Sequence, residues 1–132
     1  MDEKELRTGN AVYVIDNSDI TKKIPGTIIS CPRREVEYCH SGLRQVSLEA
    51  IPITDKILLN NGFSKNPDTP NRYYPPRGGT FFVKNDIENN CYYIGMEDSG
   101  KDRHISININ YIHQLQNALY YIRGMEIPFS NI

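Results

Sequence analysis

The segment from Arg103 to Gly124 changes hydrophobic period once, and that change limits what the chain can fold into. Ile105, Ile107 and Ile109 alternate with Ser106, Asn108 and Asn110, the two-residue period of a half-buried strand. From Ile112 the apolar positions are Leu115, Leu119 and Ile122, the stripe of an amphipathic helix. Asn110 is placed to cap that helix and Gly124 to stop it. The chain therefore carries a strand, then a helix with a face to bury.

At 132 residues the chain makes one domain, or two very small ones sharing a core. It is 39% hydrophobic and 23% charged, a globular rather than a disordered balance. The net charge of −1 supplies no global attraction to nucleic acid or to an anionic membrane, so any nucleic-acid site has to be a local patch. The charged start Met1-Asp-Glu-Lys-Glu-Leu-Arg7 has no apolar run behind it and does not read as a secretory signal. No apolar stretch approaches the ~18 residues of a membrane span. Cys31, Cys39 and Cys91 are an odd number without framework spacing, which reads as reduced thiols in a cytosol.

Residues 6–53 read as short strands: Ala11–Ile15, Gly26–Cys31, Glu35–Cys39 and Leu43–Leu48, with Ser41-Gly42 as a hairpin turn. So many strands in so short a stretch suggest a small curled, SH3-like sheet over residues 1–53. Thr54 then caps a short helix, Asp55–Asn61, stopped by Gly62. Residues 64–79 hold four prolines and read as a long loop. Thr80–Lys84, Cys91–Glu97 and the final strand form an antiparallel meander before the last helix. The expectation is an α+β fold, with residues 1–53 as the barrel-like part and residues 54–132 as a helix–meander–helix part sharing its core. Core positions are expected at Val12, Val14, Ile28, Val46, Leu48, Leu58, Phe81, Val83, Ile94, Ile107, Leu115, Leu119 and Ile122.

Three segments carry a likeness: Glu5-Leu-Arg-Thr-Gly-Asn10 with Val12, Ile51-Pro-Ile-Thr54 with Leu58–Phe63, and Tyr111-Ile-His-Gln-Leu-Gln-Asn117 with Leu119, Tyr120 and Gly124. The pattern resembles a family of small uncharacterised proteins encoded by phages and mobile elements of gut anaerobes. His113-Gln-Leu-Gln-Asn117 is its most specific part. Two departures are Ile122-Arg-Gly124, where the family tends to Leu-Thr-Gly, and the proline-rich segment, where the family is shorter and more acidic. The resemblance implies a context and no residue roles: an accessory protein in a bacterial cytoplasm, with counter-defence among its expected tasks.

Several residue groups invite a chemical reading. His113, Gln116, Asn117 and Tyr120 lie at helical spacing. They make either an exposed recognition face or a set of polar fasteners holding the helix to loops. Cys39-His40 does not read as a nucleophile and base, because strand neighbours point to opposite faces. The cysteine and histidine spacing matches no zinc pattern, and Arg77-Gly-Gly-Thr80 enters a strand rather than the helix that a phosphate loop needs. No metal site, no cofactor and no catalytic residue is expected. The strongest binding candidate is Arg72-Tyr-Tyr-Pro-Pro-Arg77: Arg72 and Arg77 as forked phosphate donors, Tyr73 and Tyr74 as stacking faces, with Arg33 and Arg34 as auxiliary charges. Its alternative is a surface segment whose tyrosines pack back onto the sheet.

Two functions follow. One is a non-enzymatic module binding a nucleotide or a short single-stranded nucleic acid at the Arg/Tyr segment. The other is a protein–protein module, a homo-oligomer or an adaptor acting on a host protein, motivated by Tyr111, Tyr120, Tyr121 and the apolar tail Met125–Phe129.

Overall fold

A computed structural model describes residues 5–16, 19–28, 46–77 and 80–132 of the chain. The fold is α+β and divides into two compact units. Unit 1 combines residues 1–52 with 111–130 and Ile132, and unit 2 comprises residues 53–110 and Asn131. The C-terminal helix therefore belongs with the N-terminal strands. The expected division at residue 53 placed it with the meander.

Unit 1 holds an antiparallel sheet of β1 (Ala11–Asp16), β2 (Asp19–Thr27) and β3 (Val46–Glu49), in the order β2-β1-β3. Val12 lies opposite Gly26, and Val14 lies between Ile24 and Leu48. The β2 strand begins seven residues ahead of the expected strand Gly26–Cys31, because Asp19–Pro25 shows little apolar alternation, and residues 29–31 of that expected strand lie outside the described residues. Its Pro25 is tolerated because β2 lies at the edge of the sheet formed by the described residues. The predicted strand Glu35–Cys39 and the Ser41-Gly42 turn lie outside the described residues, as does the side chain of Val46.

Helix α2 (Ile112–Arg123) packs on β1. Its N-cap is Tyr111, one residue later than the sequence suggests, and Gly124 closes it with a left-handed φ of 63°. Ile112, Leu115 and Leu119 are buried, and unit 1 adds Leu6, Ala11, Val12, Ile28, Ile51, Ile127 and Phe129 to its interior. Val14, Leu48 and Ile122, expected in the core, are half-buried.

Unit 2 opens with α1 (Asp55–Asn60), capped by Thr54, whose Oγ1 accepts from the Ile57 amide at 3.1 Å. Five antiparallel strands follow in sequential order: β4 (Ser64–Lys65), β5 (Arg72–Tyr74), β6 (Phe81–Asp86), β7 (Cys91–Asp98) and β8 (Lys101–His104). The interior includes Leu58, Phe63, Tyr73, Phe82, Val83, Tyr93, Ile94 and Ile109. Phe81 is half-buried. The segment expected to be a loop over 64–79 thus contributes two strands, with Tyr73 paired to Val83.

The predicted strand over Ile105–Ile109 does not form as an alternating strand. The Ile105 and Ser106 amides both donate to the Ile94 carbonyl, while Ser106 Oγ accepts from the Ile94 amide at 2.7 Å. A side chain thereby takes the ladder position of a backbone carbonyl and ends β8 at His104. Pairing resumes only at a bridge between Tyr92 and Ile109. Ile109 is buried, and Ile107 is 83% exposed rather than in the core.

Candidate functional site

Two of the segments that stand out in the sequence meet in unit 1. Gln116, 3% exposed, accepts from the Ala11 amide at 2.8 Å and donates to the carbonyls of Gly9 at 3.1 Å and Ile127 at 2.9 Å. Asn117 donates to the Glu5 carbonyl at 2.6 Å, and its Oδ1 accepts from Asn10 Nδ2 at 2.9 Å. Asn10, fully buried, in turn accepts from the Arg7 amide. One turn of α2 thus satisfies backbone groups of two other segments, as buried polar groups require. The Arg7 guanidinium lies 3.9 Å from the centroid of the Tyr120 ring and 3.1 Å from Glu126. Of the predicted recognition face, His113 and Gln116 point inward and only Tyr120 remains exposed.

His113 is the unusual member of this group. It is 1% exposed, and its Nε2 lies 3.0 Å from Glu5 Oε2. A carboxylate only accepts, so Nε2 carries the proton and donates. In the neutral imidazole Nδ1 is then a lone pair, and it is the buried side-chain polar atom among the described residues that has no hydrogen-bond partner. His113 stacks beside Tyr111, ring centroids 6.0 Å apart and planes within 15°.

His113 also stands on the wall of a cavity of about 410 Å³, within the size range of small-ligand sites. Glu5, Glu49, Ala50, Pro52, Tyr111 and Gln114 complete the wall. Adjacent chain segments bring them together: Pro52 bridges Tyr111, and the Ile112 amide donates to the Ile51 carbonyl at 2.8 Å. Gln114 Oε1 accepts from the Tyr111 amide at 3.3 Å and fixes the first turn of α2. Outside the wall, the Lys23 ammonium is 2.9 Å from Glu49 Oε2. Sequence reasoning missed Glu5 and Glu49 as site residues because nothing local links them. The one available signal was that Glu5 opens one conspicuous segment and His113 anchors another.

The Arg/Tyr segment has a different environment in unit 2. The Arg72 side chain is 10% exposed, bonded to Asp102, 3.6 Å from Glu97, and stacked 4.4 Å from the Phe82 ring. Lys84 joins Asp102 at 3.1 Å. Burial by itself would raise the Asp102 pKa, but hydrogen bonds and charge from Lys84 and Arg72 outweigh it and hold the carboxyl below its ordinary value. Tyr73 is buried, and the Tyr92 hydroxyl donates to Asp55 Oδ1 at 2.8 Å. Burial, then the hydrogen bond to Asp55 and its charge, push Tyr73 up to about 12 and raise Tyr92 as well. Arg72 and Tyr73 are thus committed to internal partners and do not form an open cradle. Tyr74 is half-buried with its ring edge toward Phe82, and Arg77 is exposed. Arg33, Arg34, Cys31, Cys39 and His40 lie outside the described residues. Cys91 is buried, and burial followed by the charge of Asp86 raises its thiol pKa.

Among the described residues no three His, Cys, Asp or Glu side chains converge as a metal site, and no helix is long and apolar enough to cross a membrane. No protein-family model, no curated protein and no solved structure matches the chain.

Proposed function

We propose that this chain is a non-enzymatic binding module whose ligand sits in the unit 1 cavity. The observation that carries the reading is His113: a buried imidazole on the wall of a cavity, fixed through Nε2 by Glu5, with Nδ1 left without a partner. A buried acceptor without a donor costs about 1–3 kcal/mol, so the fold holds this imidazole on the cavity wall at the expense of stability. The nucleotide expected at Arg72 has little support there, because Asp102 and Glu97 already engage that guanidinium.

The test is a small-molecule screen followed by backbone amide NMR. The expected result is a compound that shifts the Tyr111, His113 and Gln114 amides and leaves the unit 2 sheet unmoved. Replacing half-buried Ala50 by Leu fills the cavity and should abolish those shifts in a folded protein. Shifts that survive Ala50→Leu, or that fall only in unit 2, would defeat the reading.

A second reading, an interaction module, rests on Tyr121. This side chain is 76% exposed and packs edge-on to Tyr120, centroids 5.7 Å apart. Sedimentation that shows an oligomer dissociated by Tyr121→Ser would favour it.

A further inference from the structure

We propose that the cavity of unit 1 selects a monovalent organic cation, a primary ammonium on a short aliphatic stem. The inference rests on the reading of that cavity as the ligand site, and it adds the chemical class. Four wall residues carry polar side chains or a π face: Glu5, Glu49, His113 and Tyr111. Both carboxylates only accept hydrogen bonds. His113 donates its Nε2–H to Glu5 and, as a neutral imidazole, has no second donor to offer. Tyr111 on the wall brings an aromatic ring, whose faces are negative and attract cations. The fifth polar wall residue, Gln114, has its Oε1 engaged by the Tyr111 amide. A phosphate or a carboxylate would meet like charge here, and a neutral apolar ligand would leave the acceptors without donors.

The charge count sets the valence. Glu5 and Glu49 supply two negative charges, and Lys23 on Glu49 supplies one positive charge. Arg7, the other cation near Glu5 among the described residues, is turned to Glu126 and Tyr120. Among the described residues, with His113 as the neutral imidazole, one negative charge therefore remains for the occupant, centred on Glu5, whose side chain is 47% exposed and lines the cavity. The protein's own Lys23 ammonium on Glu49 is an example, at the margin of the site, of the group that the cavity accepts. Proline and alanine on the wall, Pro52 and Ala50, provide apolar surface for an aliphatic stem.

Such an ammonium has two natural sources, a free alkylamine or a lysine side chain of a peptide. The experiment uses amide NMR titration of the full chain with four probes: n-butylammonium, N-acetyl-lysine N′-methylamide, n-butanol and AMP. The expected result is that the two ammonium probes shift Tyr111, His113 and Gln114, while n-butanol and AMP do not. Glu5→Gln keeps an oxygen to accept from His113 and removes only the charge. It should weaken n-butylammonium binding by about tenfold or more, the loss of one charge-assisted hydrogen bond. Glu49→Gln serves as the second variant if Glu5→Gln is poorly folded, with a loss in the same direction. Tighter binding of the lysine derivative would identify a peptide source, and tighter binding of n-butylammonium a free amine; both support the class. Shifts at the three cavity amides with n-butanol or AMP but not with either ammonium would overturn the cation class and leave the ligand site standing. Silence from all four probes at millimolar concentration would overturn the class, whereas the broader screen with Ala50→Leu judges the site itself.

Discussion

Gln116 shows what a single side chain does here. Its amide serves three backbone groups that no strand or helix satisfies, at Gly9, Ala11 and Ile127. Gln116→Leu keeps the volume and strands all three, two of them in a buried setting, so it should destabilise unit 1 by about 2–4 kcal/mol in urea unfolding. Gly95 is constrained in the opposite sense, by space. It lies opposite Phe82 across β6 and β7, and a Cβ there would sit 2.8 Å from Phe82 Cε1 and 3.2 Å from the Arg103 carbonyl. Gly95→Ala should cost about 1–3 kcal/mol by overpacking, and Phe82→Leu in the same chain should recover part of it. The sequence marks neither need. The Gln116 position reads as one more polar residue on a helix, and Gly95 as an interruption in a strand.

At the scale of elements, α1 and β8 are each tied to the sheet of unit 2 by a carboxylate. Asp55, in the first turn of α1, receives the Tyr92 hydroxyl and the Asn85 amide at 3.1 Å. Tyr73 and Tyr92 hold their protons in the folded state beyond the ordinary tyrosine range. Above pH ~10 the unfolded chain loses those protons first and binds fewer than the folded chain, so stability falls as pH rises from ~10 toward 12. Absorbance at 295 nm should show a late-titrating class of tyrosines in the native protein, and Asp55→Asn should move part of that class toward lower pH. Asp102 on β8 behaves in the other direction. Its folded pKa lies below its unfolded value of ~3.9, so its contribution is present above that value and is lost as pH falls through the folded pKa. Asp102→Asn should remove about 3 kcal/mol at neutral pH by leaving Arg72 buried with a weakened partner, and it should flatten the acid limb of the stability profile. If Asp102→Asn unfolded at the wild-type urea midpoint, the Arg72 ion pair would have no structural weight.

For the molecule as a whole, the telling feature is where unit 2 enters and leaves. Pro52 and Tyr111 are bridged in unit 1, and the Ile53 amide donates to the Asn110 carbonyl at 2.9 Å in unit 2. A segment that departs and returns through neighbouring residues is an insertion, the arrangement that single domains tolerate best. Replacing residues 53–110 by a short Gly-Ser linker should leave unit 1 folded, with the Ile112 amide still protected from hydrogen exchange by the Ile51 carbonyl. An exchange rate for that amide close to the unfolded rate would show that unit 1 needs unit 2 to fold.

The sequence by itself determined the local features: the α2 stripe, its stop at Gly124, the Thr54 cap of α1, and the antiparallel strands rich in β-branched and aromatic residues. These depend on interactions within about four residues, which spacing reveals. The isoleucine alternation after Arg103 misled because one hydroxyl, Ser106 Oγ, competes with the ladder, and alternation does not register that. Arg72 and Tyr73 read as a binding loop because their partners, Asp102 and Asp55, lie 30 and 18 positions along the chain. The cavity was out of reach for the same reason. Glu5, Glu49 and His113 come from three distant segments, and only tertiary packing fixes which charges meet and which buried atom is left without a partner.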